Sequence, residues 1–389
     1  MTVIPATSKA YLKMLKEDCL NFWEKHSLDN KYGGYFTCLE RDGAVYDTDK
    51  FIWLQGRQVW TFSMLYNRLE KNKKWLEIAT HGYNFLSKHG RAADGNFYFS
   101  LDKTGRPLIQ PYNIFSDCFA CMAMSQYSLA SGSKAAKSGA YDIYKRILKR
   151  RDNPKGKWTK AYPGTRPLKS FSLPMILSNL VLELEWMLDD KEIDATLDAC
   201  VKEVLKVFYQ KDRGIIFEHV NSDGSLSDTF EGRTINPGHG IEAMWFLMDI
   251  AERRKDRKLA EKCCDITLNI LKYGWDKKYG GIFYFLDAQG HPPQQLEWDQ
   301  KLWWVHLETL ISLLKGYRMT GRKELLAKFL EVHEYSWKHF HDAKYGEWFG
   351  YLNRRGEVLL PLKGGKWKGC FHLPRALFII QKELNLLGM

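Results

Sequence analysis

One phrase returns along this chain and limits what it can fold into. Asp29-Asn30-Lys31-Tyr32-Gly33-Gly34-Tyr35-Phe36 reappears as Asp276-Lys277-Lys278-Tyr279-Gly280-Gly281-Ile282-Phe283 and as Asp342-Ala343-Lys344-Tyr345-Gly346-Glu347-Trp348-Phe349. Weaker echoes begin at Asp94 and Asp212. A turn closed by glycine follows each phrase, at Gly43, Gly105, Gly224, Gly290 and Gly356, and Gly164 in Tyr162-Pro163-Gly164-Thr165 fills the one double gap. Six units result, and a period of about 60 residues is a property of the architecture rather than of any one segment.

After each turn comes an apolar segment too long for a strand, near 53–69, 113–129, 172–188, 237–250, 302–317 and 372–387. Amphipathic stretches lie between them, near 9–25, 74–88, 134–149, 194–208, 257–272 and 323–337. Ala260, Cys263, Cys264, Ile266, Leu268 and Leu271 show the three- and four-residue spacing of a helix with one wet face. Twelve helices of two characters imply an inner ring and an outer ring, with glycine turns marking short β-hairpins between them. The expected fold is an all-α (α/α)6 toroid forming a single domain over 1–389. A closed ring also explains why neither end carries a polar capping repeat.

No apolar run approaches the roughly 18 residues of a membrane span. The first residues lack a basic segment followed by an apolar one, and the eight cysteines read as reduced thiols, so a cytoplasmic location is expected. Cys118 and Cys121 sit in an apolar helical pattern and read as core. The net charge of +12 is spread along the chain without a nucleic-acid motif. It implies a solvated basic surface, or attraction for phosphorylated or acidic ligands.

In such a ring every junction between hairpin and inner helix points at one mouth. The fourth junction, Asn236-Pro237-Gly238-His239-Gly240-Ile241-Glu242, reads as an N-cap, a first-turn proline and two glycines that let something approach the backbone. His239 and Glu242 share a face there, so Glu242 is placed to orient the imidazole. The sixth junction repeats the design with His372, Pro374 and Arg375. A helix N-terminus disfavours imidazolium, so both histidines are expected neutral and able to act as bases. Two such groups on different helices can remove a proton α to a carbonyl from one face and return it from the other.

Arg57 is either an ion-pair partner of Glu242 or Glu308 or a direct substrate contact. His306 is either structural or supporting, and Trp53, Trp303 and Trp304 are either core or stacking faces for a sugar. Glu242, Glu308 and Asp117 could instead serve a glycoside hydrolase, which needs two carboxylates about 6.5–9.5 Å apart when it inverts. A non-catalytic sugar- or protein-binding module is the other alternative. No metal-ligand cluster stands out, so no metal is expected.

Taken together, Asn236 to Glu242, Lys301-Leu302-Trp303-Trp304 with Glu308, Arg57, and Phe371-His372-Leu373-Pro374-Arg375 resemble the N-acylglucosamine 2-epimerase family, which includes the animal renin-binding protein. The resemblance covers essentially the whole chain. It implies an (α/α)6 barrel, a homodimer, an N-acylated hexosamine substrate, and ATP as an activator that is not consumed. It further implies His239 and His372 as the acid/base pair, Arg57, Glu242 and Glu308 holding the sugar or the histidines, and Tyr112, Asn113 and Arg375 lining the pocket with Trp303 and Trp304. Related cellobiose 2-epimerases carry a histidine on the third inner helix; Ser172 to Asn179 contains none, which favours the acetamido-sugar branch. The Leu173, Leu180, Met187 spacing resembles the zipper of renin-binding relatives but suits an inner helix. The nucleotide site is poorly marked. Lys157 and Lys160 lie in a basic, glycine-containing stretch that is no Walker loop, and they are its candidate residues.

Overall fold

The computed structural model describes residues 3–162 and 164–389. Pro163, in the turn expected over 162–165, lies outside the described residues. Six helices, Ile52–Arg68, Phe115–Ser131, Ser172–Glu183, Pro237–Arg254, Trp303–Thr320 and His372–Leu386, pack one against the next as the inner ring of an (α/α)6 barrel. Outer helices alternate with them: Lys73–His89, Lys134–Lys149, Asp190–Glu203, Arg257–Gly274 and Lys323–Phe340. The first outer element runs as Ser8–Lys13, Met14–Leu20 and Asn21–His26, with its middle piece wound as a π-helix.

Burial separates the two rings as their sequences do. Every residue from Trp303 to Gly316 is buried. Arg257–Gly274, by contrast, buries one stripe that includes Leu259, Cys263, Ile266 and Ile270. One apolar cluster joins side chains of all twelve helical segments. Cys118 and Cys121 belong to it, and all eight cysteines are free and buried.

The third inner helix ends at Glu183, short of the expected Leu188. The Ser125 hydroxyl donates to the Glu183 carbonyl (2.8 Å), and the buried Glu183 carboxylate accepts from Trp60 and Gln126. These bonds serve the helix end from neighbouring helices, and Met187 falls beyond it, so no continuous zipper forms.

The repeated phrase has one physical purpose. Asp29 accepts the backbone N–H groups of Lys31 and Tyr32 (both 3.0 Å), and its other oxygen meets the buried Lys50 ammonium (2.7 Å). Asp276 does the same with Lys278 and Lys301, and Asp342 with Lys344 and Lys363. The double glycine supplies two successive left-handed residues, φ +83° and +71° at Gly33 and Gly34. In the sixth unit Glu347 takes the second place at φ +59°. Its buried carboxylate is held there by Lys368 (2.5 Å) and Trp23 (2.7 Å).

Short strands stitch neighbouring units rather than staying inside one hairpin. Lys50–Phe51 pairs with Ser100–Leu101, Leu168–Ser170 with His219–Asn221, Thr234–Ile235 with Leu286–Asp287, and Lys301–Leu302 with Tyr351–Leu352. In each case the strand before one inner helix borrows the hairpin of the following unit. The same rule closes the ring, because the Lys363 N–H donates to the Leu39 carbonyl (3.0 Å). Arg41 of the first unit then grips Asp342 of the last (2.7 Å), as Arg354 grips Asp276 (3.0 Å).

Candidate active site

The inner helix at Pro237 starts as its sequence requires. Asn236 caps it by accepting the His239 N–H (3.1 Å), and Pro237 occupies the first turn. What approaches Gly238 is Trp304, since a Cβ there would lie 2.5 Å from the indole ring. His239 is therefore set against Trp304, with ring centroids 5.3 Å apart. His372, the first residue of the last inner helix, lies against the same indole at 5.7 Å. Two imidazoles from helices far apart in sequence thus share one aromatic partner.

Their electrostatic settings differ. His239 Nδ1 lies 3.1 Å from both oxygens of Glu218. Burial opposes its protonation, but the Glu218 charge and hydrogen bond, with Glu242 adding, raise its pKa above the ordinary histidine value. His372 Nδ1 meets Glu308 at 2.7 Å. That carboxylate is already compensated, because Arg375 binds the same oxygen (2.7 Å) and Trp245 the other (2.9 Å). Burial first, then the charges of Arg57 and Arg375, hold His372 well below the ordinary value. The expectation of two imidazoles disfavoured as cations by helix N-termini matches the downward shift of His372, but His239 is shifted upward, because the Glu218 carboxylate acts against its burial. The orienting group of His239 is Glu218, not Glu242.

Arg57 pairs with neither Glu242 nor Glu308. Its guanidinium is wedged among Trp53 (4.3 Å), Phe119 (4.1 Å) and Phe371 (4.5 Å), and its Nε has no partner. Burial pushes its pKa down to about 9. A desolvated cation without a counter-ion, next to two histidines, is a ready receptor for an oxyanion.

The hydrolase constellation does not assemble. Asp117 turns away to Arg150 (3.2 Å), its carboxyl raised to about 6 chiefly by burial. One Arg375 nitrogen ties Glu242 (2.6 Å) and Glu308 (2.7 Å) together, so they do not flank a substrate. Glu242, Glu308 and His372 offer ligand atoms within 4.8 Å of one another, and the Arg375 guanidinium bonds to both carboxylates of that group.

The remaining candidates sort by contact. Trp303 packs edge-on against His372 at 6.0 Å. Tyr112 packs on Phe99 (5.0 Å), beside Trp53. Asn113 lies two residues before the second inner helix and accepts the Phe115 N–H (3.1 Å). His306 is structural: Nδ1 donates to the Leu302 carbonyl (2.8 Å) and Nε2 accepts the Ile282 N–H (3.0 Å), so both nitrogens are used. Gln55 binds the equivalent Tyr35 N–H of the first unit in the same way (2.8 Å). Lys157 and Lys160 are exposed on the loop around Gly156–Trp158, with no hydrogen bond to this cluster.

Glu218 is the residue that reading the sequence missed. The hairpin register makes it equivalent to Thr37, Phe99, Tyr284 and Gly350, each two places beyond a bridge residue of its phrase. It is the one carboxylate in that column, a signal that aligning the repeats would have exposed.

The family model described as N-acylglucosamine 2-epimerase (GlcNAc 2-epimerase) matches residues 34–376. The N-acylglucosamine 2-epimerase of Bos taurus is 42% identical over 94% of this chain and 88% of its own length. The Homo sapiens protein of that name is 39% identical over 94% and 87%. The solved cellobiose 2-epimerase of Bacillus thermoamylovorans superposes with a TM-score of 0.84 at 21% identity, covering 96% of this chain and 98% of that one, which is a likeness of fold. No helix among the described residues is long and apolar enough to cross a membrane. By this family match and these relatives, the chain belongs to the N-acylglucosamine 2-epimerase family and is an isomerase.

Proposed function

We propose that the protein interconverts N-acetyl-D-glucosamine and N-acetyl-D-mannosamine by proton transfer at C2 of the ring-opened sugar. The observation that carries this reading is the pair of imidazoles on Trp304, one favouring the neutral form and one the protonated form. With Nδ1 of each ring tied to a carboxylate, Nε2 is the nitrogen left for substrate. Neutral His372 takes the C2 proton, and the electron pair moves onto the C1 carbonyl oxygen to give an enolate. Arg57 stabilises that oxygen. His239 then delivers its own proton to the opposite face of C2, and the pair re-equilibrates. In the reverse direction the roles exchange, as microscopic reversibility requires.

A nucleotide has no part in this proton balance, so ATP acts as an effector that is not consumed. The family resemblance supports that role, a homodimer, and a cytoplasmic setting suited to eight free thiols.

The test is to incubate the protein with N-acetylmannosamine and ATP in deuterated water and separate the sugars. N-acetylglucosamine should form with deuterium at C2, ATP should be recovered intact, and His239→Ala and His372→Ala should each abolish turnover. Epimerisation with full retention of the C2 hydrogen would replace this route with internal transfer.

A further inference from the structure

The proposed reaction fixes where the substituent on C2 begins. C1 and C2 are bonded neighbours, so with the C1 oxygen on Arg57 the C2 nitrogen starts beside the same guanidinium. Three rings wedge that group: Trp53, Phe119 and Phe371 (4.3, 4.1 and 4.5 Å). Phe119 and Phe371 are buried and pack edge to face (5.5 Å), so they close their side. Trp53 is only partly buried, and it adjoins a second group of rings.

Those rings form a cup. Phe99 is its floor, 2% exposed, with Tyr112 at 5.0 Å and Trp367 at 6.2 Å. Trp367 also stands edge-on to Trp53 at 5.7 Å. Tyr112 is partly buried and Trp367 is 52% exposed, so the rim meets solvent while the floor is sealed. Phe51, Leu54 and Cys38 back the floor. The hairpin register that brings Glu218 to His239 also brings Phe99 to the mouth, because the two occupy equivalent places in their units. Around the histidines that ring of positions is charged; on the Arg57 side it is aromatic.

An N-acylated hexosamine carries hydroxyls throughout and one fully apolar group, the end of its acyl chain. The acyl carbonyl calls for a donor, and the Trp53 indole N–H is a buried donor with no partner. The acyl methyl calls for an apolar site without hydrogen-bonding demand, and the cup is one. We propose that Trp53, Phe99, Tyr112 and Trp367 form the acyl subsite, with Phe99 as the floor that sets the acyl length accepted. This assignment rests on the proposed reaction, through the place of the C1 oxygen on Arg57.

The test compares N-formyl-, N-acetyl-, N-propanoyl- and N-butanoylmannosamine, by kcat/KM and by calorimetric Kd, on the full chain. Phe99→Leu lowers the floor and should raise the N-butanoyl to N-acetyl preference about tenfold, since a methylene in a fitted apolar pocket is worth about that or more. Phe99→Trp raises the floor and should move preference the other way, toward N-formyl. A ratio between substrates is unaffected by any loss of folded protein, so these variants report selectivity even if they are less stable. Trp367→Ala, at an exposed ring, should weaken the N-butanoyl and N-propanoyl sugars more than the N-formyl one. Preferences that stay within about twofold of the parent in the Phe99 variants, or equal losses for all four sugars in Trp367→Ala, overturn the proposal. Turnover with such fixed preferences would sink the subsite and leave the reaction. Acyl-dependent binding that follows Phe99 without any turnover would sink the reaction and leave the subsite.

Discussion

Glu218 holds His239 with both carboxylate oxygens, each 3.1 Å from Nδ1, and no arginine shares that carboxylate. At His372 the reverse is true: Arg375 has already neutralised Glu308 when the imidazole meets it. The asymmetry of the pair follows from the bare Glu218 carboxylate at His239 and from burial beside Arg57 and Arg375 at His372. A bare carboxylate favours the protonated imidazole of His239, while burial beside two arginines favours the neutral form of His372.

This sets the pH profile. On the proposed two-histidine route turnover needs one proton on the pair, so kcat/KM should be bell-shaped in both directions, reporting pair values rather than single-residue ones. Because His372 is shifted down and His239 up, the acid limb should lie below the ordinary histidine value and the alkaline limb above it. Glu218→Gln removes the charge that raises His239. The alkaline limb should move to lower pH, and kcat should fall by about 10²-fold, the lower end of what general acid–base catalysis contributes. An unmoved alkaline limb in this variant would remove Glu218 from the mechanism.

Arg57 separates catalysis from stability. It has no ion pair to lose, and its desolvated charge disfavours the native state. Arg57→Met should therefore lower kcat by about 10²–10³, the cost of an oxyanion donor, while Tm stays level or rises. A fall in Tm in step with activity would make Arg57 a structural residue.

Ring closure rests on Asp342, held by buried Lys363 (2.9 Å) and half-exposed Arg41 (2.7 Å). Asp342→Asn leaves the Lys363 ammonium buried without its counter-ion and should cost about 3–5 kcal/mol in urea unfolding. Arg41→Ala removes only the solvent-facing partner and should cost within about 1 kcal/mol. Against the effect of burial, Lys50 holds the carboxyl of Asp29 below the ordinary value, Arg354 with Lys301 that of Asp276, and Arg41 with Lys363 that of Asp342, backbone N–H groups assisting at each. Their contribution is fully present above the unfolded carboxylate pKa, about 3.9. It is lost as pH falls through the lower native values, so acid unfolding should shift to higher pH in Asp342→Asn.

The amino-acid sequence by itself determined the six units, the two kinds of helix, the turn positions and the two histidines. Those features are periodic or local: apolar spacing, paired glycines and an Asn-Pro helix start are written in neighbouring residues. It also located Arg57, Glu308 and Arg375 at the mouth, because inner-helix junctions must converge in a closed ring. Only the tertiary structure decided which carboxylate serves which imidazole. Glu242 lies three residues from His239, yet it pairs with Arg375, while Glu218 arrives from a hairpin and takes the histidine. His306, left open between a structural and a supporting role, accepts a hairpin N–H, and Asp117, a carboxylate of the alternative hydrolase reading, is held by Arg150. A charge acquires its role from the partners that fold onto it, and those partners lie tens of residues or more away along the chain.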